Sequence, residues 1–314
     1  MDPRQEASVR IEGRYDVRVL EPSPPAPKRP PFVDDPVARG EASTGLPVLS
    51  PVTTGDVLWD DLARTDPDLA SWCAERWLGA YWRLRKPPPA FAATRDALHR
   101  LAEHVISPTR QRANGEITLR WTRGGFGTPF FGDDVQLRVD GDVFIVQQCG
   151  EETLGRLTSL KDAAEYVGYD LTRFDVAMAD EPLGVDPEAA RWLGDLYGFA
   201  FSVLEQLRAE AAPELQGSFV NLWPEHFDVA VELGAEASGI RAAYGVSPGD
   251  ATHPAPYVYV APWSARPEGE LWQAEGFPGA ELGLEDLLEA PDQRGAALAF
   301  LRTRLEALTA GAVS

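Results

Sequence analysis

The chain has 314 residues, 44% of them hydrophobic, and carries 29 basic against 49 acidic side chains, a net charge of −20 with a pI near 4.6. Nine Trp, thirteen Phe and eight Tyr are ample for a core, in one large domain or two intimate ones, and exclude wholesale disorder. The acidic balance repels phosphate backbones and anionic lipid, so neither a nucleic-acid nor a membrane partner is expected.

The start, M-D-P-R-Q-E, lacks the apolar run of a signal peptide, and no stretch approaches the roughly 18 apolar residues of a span, so a soluble cytoplasmic protein is expected. Only Lys28, Lys86 and Lys161 are lysines among the basic residues, a bias toward Arg that suits a GC-rich bacterial genome. Cys73 and Cys149 cannot make a disulfide framework and read as buried thiols.

Residues 1–56 form a first, extended segment. Tyr15 to Leu20 alternates as a half-buried strand does, then runs into E-P-S-P-P-A-P-K-R-P-P-F. Those prolines forbid helix and ladder pairing. The run reads as a strap across the fold, or as a ligand for a proline-recognition module.

A unit over 57–180 follows. Asp66-Pro67 supplies a helix start, and Leu69, Trp72, Trp77 and Trp82 make an aromatic face that ends at Pro87. A second helix spans Thr94 to about Arg112, kinked near Pro108. Its His99 and His104 diverge by about 140° and cannot share a ligand. After the turn Asn114-Gly115 the period becomes two, giving strands near 116–122, 134–139 and 142–148, the last two joined at Asp140-Gly141. The glycines of R-G-G-F-G between them lack the strand–glycine–helix order and G-K-[ST] of a phosphate loop, so a wide aromatic loop is expected. A short helix covers about 159–167.

The unit over 181–314 opens on Asp186-Pro187, a second helix start. Trp192, Phe199, Val203 and Leu207 belong to an apolar surface wrapping more than half of a helix to about Ala211, which predicts a buried central helix. Strands are expected near 218–223, 227–233 and 256–261, then helices at 284–289 and from Asp292 to Leu308.

The fold class that results is α+β, antiparallel sheet packed against long helices. The order helix, Gly turn, meander, shorter helix occurs in both units, either as a duplication or by chance.

The segments L-W-P-E-H-F-D-V-A-V (222–231) and A-P-Y-V-Y-V-A-P-W (255–263), with the helix from Asp186 before them and A-A-L-A-F-L after, resemble a family of bacterial domains of unknown function. The likeness is carried by Trp223, Phe227, Asp228, Val229, Ala230 and Val231, on an aromatic-x-x-x-Phe-Asp-Leu-Ala-Val pattern; Pro224-Glu225-His226 depart from it. It extends loosely over 90–308 and is specific only around 222–231. It implies a shared fold and carries no activity.

The candidate site is His226, Asp228 and His253. If 225–232 is one strand, His226 and Asp228 share a face about 7 Å apart, close enough for the carboxylate to orient the imidazole or for both to hold one ion. His253, with Asp250 near it, precedes the next strand. Trp223, Glu225, Tyr244 and Tyr257 are expected as walls and binding groups. The plainer alternative is a His bonded to a backbone carbonyl and an Asp capping a turn. No hydrolase, dehydrogenase or nucleotide signature occurs. The expectation is a non-catalytic protein binding a small molecule or another protein without a cofactor. The alternative is a metal- or His-dependent enzyme at His226, Asp228 and His253.

Overall fold

A computed structural model describes residues 83–311 apart from 123, 130, 132–134, 149–150, 172–178, 265–268 and 275. The Pro-rich strap, the Trp-lined helix after Asp66 and both cysteines lie outside those residues.

Helix α1 (Phe91–Leu101) passes through a π turn (Ala102–Ile106) into α2 (Ser107–Asn114). Pro108 has no N–H to give His104, and its ring crowds that carbonyl. The wider π turn lets the helix continue where a kink was expected. Gly115, at φ 85°, closes α2 by donating its N–H to Gln111 O at 2.8 Å. A positive φ of this kind is nearly free for glycine.

The chain then makes a five-stranded antiparallel meander, β1 (Arg120–Thr122), β2 (Gly125–Gly127), β3 (Val135–Asp140), β4 (Val143–Gln148) and β5 (Glu151–Arg156), and the short helix α3 (Leu160–Tyr166). The β3–β4 hairpin forms as expected, with Asp140 paired to Val143, so its two loop residues are Gly141 and Asp142. The second half repeats this order. Helix α4 (Pro187–Glu210) precedes β6 (Asn221–Trp223), β7 (Asp228–Leu233), β8 (Ala242–Ser247), β9 (Tyr257–Pro262) and β10 (Ala280–Gly283), again a meander, followed by α5 (Leu284–Glu289) and α6 (Gln293–Gly311). The architecture is α+β, two antiparallel sheets against helices.

The sheets meet at one point. Leu119 and Leu222 exchange both backbone hydrogen bonds, at 2.8 and 2.9 Å, so the first strand of one meander abuts the first strand of the other. An apolar row crosses this seam from Leu119 through Leu222, Val229, Val246 and Val258 to Leu282. In an antiparallel sheet directly paired residues share a face, so the row is the inner face of the second sheet. Helix α4 covers it and also packs on β1, β2 and β3 of the first sheet. Asp186 caps α4 through Ala189 N at 2.8 Å. Phe199, Val203 and Leu207 along it are buried, and Trp192 nearly so.

Gly124, Gly125 and Gly194 explain the glycine-rich stretch that superficially suggests a phosphate cradle. A Cβ on Gly194 would lie 2.6 Å from Gly125 N and 2.8 Å from Gly124 C, and one on Gly125 would lie 2.3 Å from Val139 O. Trp121 Nε1 donates to Gly194 O at 2.7 Å across the same contact. These glycines let backbone lie on backbone, and Gly125-Phe126-Gly127 is a strand, not the expected loop.

At the seam end of α4, Glu205 is buried beside Arg208, Nη1 to Oε2 3.6 Å. Burial pushes its carboxyl from 4.5 up to about 7, against the pull of Arg208 and Arg120. A folded-state value above the unfolded one means that stability is greatest below 4.5 and is lost as pH rises through about 7, by up to about 3 kcal/mol for a shift of this size. Urea titrations between those limits should show that slope in the native protein and a flatter one in Glu205→Gln. Gly194→Ala, which must push α4 off β2, should lose about 1–3 kcal/mol in the same measurement.

Candidate functional site

The β6–β7 connection, Trp223-Pro224-Glu225-His226-Phe227-Asp228, decides the geometry. Its hinge is Phe227, which takes φ 55°, a left-handed conformation costly for a bulky residue. The ring is held from three sides. It stacks on His99 (5.0 Å, 4° between planes) and meets Phe126 and Tyr197 edge-on at 5.1 and 5.5 Å. Tyr197 Oη donates to Phe227 O at 2.7 Å, and Phe227 N to Trp223 O at 2.7 Å. His99 Nε2 lies 2.9 Å from Pro224 O. The turn is therefore pinned to α1, α4 and the first sheet.

This hinge overturns the assumed single strand over 225–232. With Phe227 turned into the core, β7 begins only at Asp228, and Glu225 and His226 stand in the turn, exposed to solvent. The His226 ring makes no hydrogen bond among the described residues. It does bear on Asp228 through its charge.

Asp228 is on the outer face of the second sheet, away from α4. Register places Trp223 directly opposite it on β6, and Ser247 opposite Tyr257 one strand further on. The neighbouring row runs Ala230, Gly245, Tyr259, Glu281. The Tyr259 ring lies across Gly245, where a Cβ would sit 2.5 Å from it, and from there its hydroxyl donates to Asp228 Oδ2. Asp228 is 6% exposed, yet its Oδ1 accepts no hydrogen bond, and no Lys, Arg or His stands within ion-pair distance among the described residues. Burial raises its carboxyl above its ordinary value, with the Tyr259 bond, His226 and the residue's own backbone N–H opposing. Asp228 in turn helps to hold the Tyr259 hydroxyl far above its ordinary range, after burial itself.

Tyr257 continues this surface. Burial raises its titration, with Asp250, Asp228 and Glu281 adding to the rise and Ser247 beside it opposing. Tyr257, Tyr259 and Phe277 form a ring cluster with centroids 6.0 to 6.1 Å apart. His253 packs on Tyr257 at 4.3 Å, with Nε2 3.5 Å from Glu281 Oε2 and Nδ1 3.1 Å from Ala255 O.

Asp250 has a structural task. Its Oδ1 accepts from Thr252 N and His253 N at 2.6 and 2.7 Å, an Asx turn that shapes the 248–256 loop. Arg95 ties the same loop to α1 through Pro248 O and Pro254 O, at 3.3 and 3.0 Å. Tyr244, expected as a wall, is on the opposite face. It pairs with Val231 and Val260 among the inward residues, fully buried, and its hydroxyl has no hydrogen-bond partner among the described residues.

The three proposed chemical residues thus separate into an exposed turn His, a buried Asp and a His already engaged with Glu281. No group of three His, Cys, Asp or Glu suited to a metal occurs among the described residues. Sequence reasoning missed Tyr259, Ser247, Phe277 and Glu281. The alternation in Y-V-Y-V could have placed Tyr259 beside Tyr257, whereas Glu281 needed the β9–β10 register. A separate open cleft of about 530 Å³, lined by Arg156, Lys161, Asp162 and Asp180 among others, is in the first half, away from these groups. No protein-family model, curated protein or solved structure matches the chain.

Because the folded-state carboxyl of Asp228 titrates above its ordinary 3.8, the charge favours the unfolded chain once pH passes the raised value. Asp228→Asn, which can still accept from Tyr259 and carries no charge, should be more stable than the native protein at pH 8 by about 1–3 kcal/mol, the order of the cost of desolvating the buried charge. The gap should close toward pH 4. A D228N protein less stable at pH 8 would make Asp228 a structural residue.

Proposed function

We propose that the protein is a non-catalytic binding protein and that it binds through the outer face of the second sheet, around Asp228, Tyr257 and Tyr259. The observation that carries this reading is Asp228 itself, a carboxylate buried against rings with one oxygen unsatisfied. Buried polar atoms are nearly always paired, and an unpaired one costs stability. A residue that costs the fold stability is retained where function requires it.

Support for binding over catalysis comes from what surrounds that carboxylate. General base catalysis needs a proton acceptor within reach of substrate and a second group to orient it or to stabilise developing charge. Here the hydroxyl on Asp228 belongs to Tyr259, whose titration is driven far up, His253 is engaged with Glu281, and His226 stands exposed in the turn. Rings with a few convergent polar groups are how a protein orients a ligand without reacting with it. The net charge of −20 favours a setting away from nucleic acid and anionic membrane surfaces, and we place the protein in the cytoplasm.

The test is a thermal-shift screen of small metabolites and fragments against the native protein and Tyr257→Leu, with each ligand re-isolated afterwards. Hits that raise the melting temperature of the native protein by a few degrees, fail with Y257L and come back unchanged are the expected result. Hits equal in both proteins would move the binding site elsewhere, and chemically altered ligand would make the protein an enzyme.

A further inference from the structure

We propose that the ligand group taken by this face is an organic cation, an alkylammonium or guanidinium, seated on the Tyr257, Tyr259 and Phe277 rings above the Asp228 carboxylate. This rests on the reading of the outer face as the binding site and adds the chemical class.

Three independent features select that class. The first is charge without a counter-charge. Asp228 is more than nine-tenths buried, Oδ1 is unpartnered, and no cationic side chain is within ion-pair distance among the described residues. A desolvated carboxylate of this kind gains most from a cation, because its field is screened least in a low-dielectric setting. Glu281, across the sheet pair from Tyr259, adds a second carboxylate, whose Oε2 faces His253 Nε2 at 3.5 Å.

The second is the ring geometry. Tyr257 and Phe277 are nearly parallel, 28° between planes, while Tyr259 meets Phe277 at 83°. Walls at two inclinations offer a cation more than one π face, the arrangement that holds ammonium groups by their attraction to the ring quadrupole.

The third is that the protein itself already places a cation-capable group in this setting. His253 lies on Tyr257 with its Nε2 toward Glu281. It occupies one face of Tyr257, and the Asp228 carboxylate is held by Tyr259 rather than by this histidine. Anions are opposed on the same ground: Asp228, Asp250 and Glu281 all act on Tyr257 with one sign.

The experiment follows the aromatic NMR signals of Tyr257 and Tyr259 during titration with n-butylammonium, with the uncharged alcohol 1-pentanol, one heavy atom longer, with N-acetyl-lysine methylamide and with Mg²⁺. Native protein, Asp228→Asn and Tyr257→Leu are compared, with near-UV circular dichroism reporting the fold. The expected result is saturable shifts with n-butylammonium, at least about tenfold weaker in D228N, and little response to 1-pentanol. Tighter binding of the lysine derivative would identify a peptide side chain as the source of the same cation, and weaker binding a free amine. Equal binding of 1-pentanol, or n-butylammonium binding unchanged in D228N, overturns the cation while leaving a binding face in place if Y257L abolishes it. Saturation by Mg²⁺ with loss of n-butylammonium would replace the organic cation by a metal. Should D228N lose its tertiary signal, Glu281→Gln with its fold intact takes its place, and an unchanged affinity there also overturns the proposal. Silence of both Tyr signals to every probe and to the fragment hits removes the class and the binding face together.

Discussion

Helix α4 packs so closely on the first sheet that Gly194 touches the backbone of Gly124 and Gly125, and the rest of the structure depends on that contact. Each meander has one apolar face, which must be covered. A 24-residue helix is long enough to cover parts of both, provided it sits at the height of the seam. The glycines set that height, and the Trp121 bond to Gly194 O fixes the position along the axis. Once α4 is placed, Tyr197 falls under the β6–β7 turn and takes the Phe227 carbonyl. The same packing that joins the halves thus also sets the backbone one residue before Asp228.

Much of this architecture is legible in the sequence, and what is not has a physical cause in each case. The Asp186-Pro187 start and the wide apolar surface of α4 are local signals, and both predict what is there. Strands Gly125–Gly127, Glu151–Arg156, Ala242–Ser247 and Ala280–Gly283 escape the period-two pattern because glycine, small or polar residues fill them. Their identity comes from neighbours supplied by distant chain. The Leu119–Leu222 bridge is the extreme instance, since neither segment alone indicates a partner a hundred residues away.

At the site the failure is more instructive. The alternation assigned to 225–232 holds from Asp228 onward, where Asp228, Ala230 and Glu232 do share the outer face. It fails before Asp228 because Phe227 adopts a positive φ that no local rule grants a phenylalanine. Tertiary packing against His99, Phe126 and Tyr197 overrides the backbone preference. Tyr244 fails in the opposite way. Its residue type suits a binding wall, but its register with Val231 and Val260 sends it inward, because parity along a strand determines the face.

Two unfavourable features therefore sit side by side, a left-handed Phe227 and an unsatisfied, desolvated Asp228. Natural sequences mostly keep local preference and global fold in agreement, and neighbouring violations mark positions selected for something other than stability. Each depends on the other. Were Phe227 in ordinary strand geometry, the side chains before β7 would alternate outward and inward from His226, and a histidine would stand next to Asp228 on the same face. The charge of Asp228 would then be met from within the chain. With Phe227 left-handed, His226 instead stands in the exposed turn, where its charge still acts on Asp228 but no cation pairs with the carboxylate directly among the described residues. An unpaired buried charge is costly to hold, and this fold holds one on the ring-lined outer face of its second sheet.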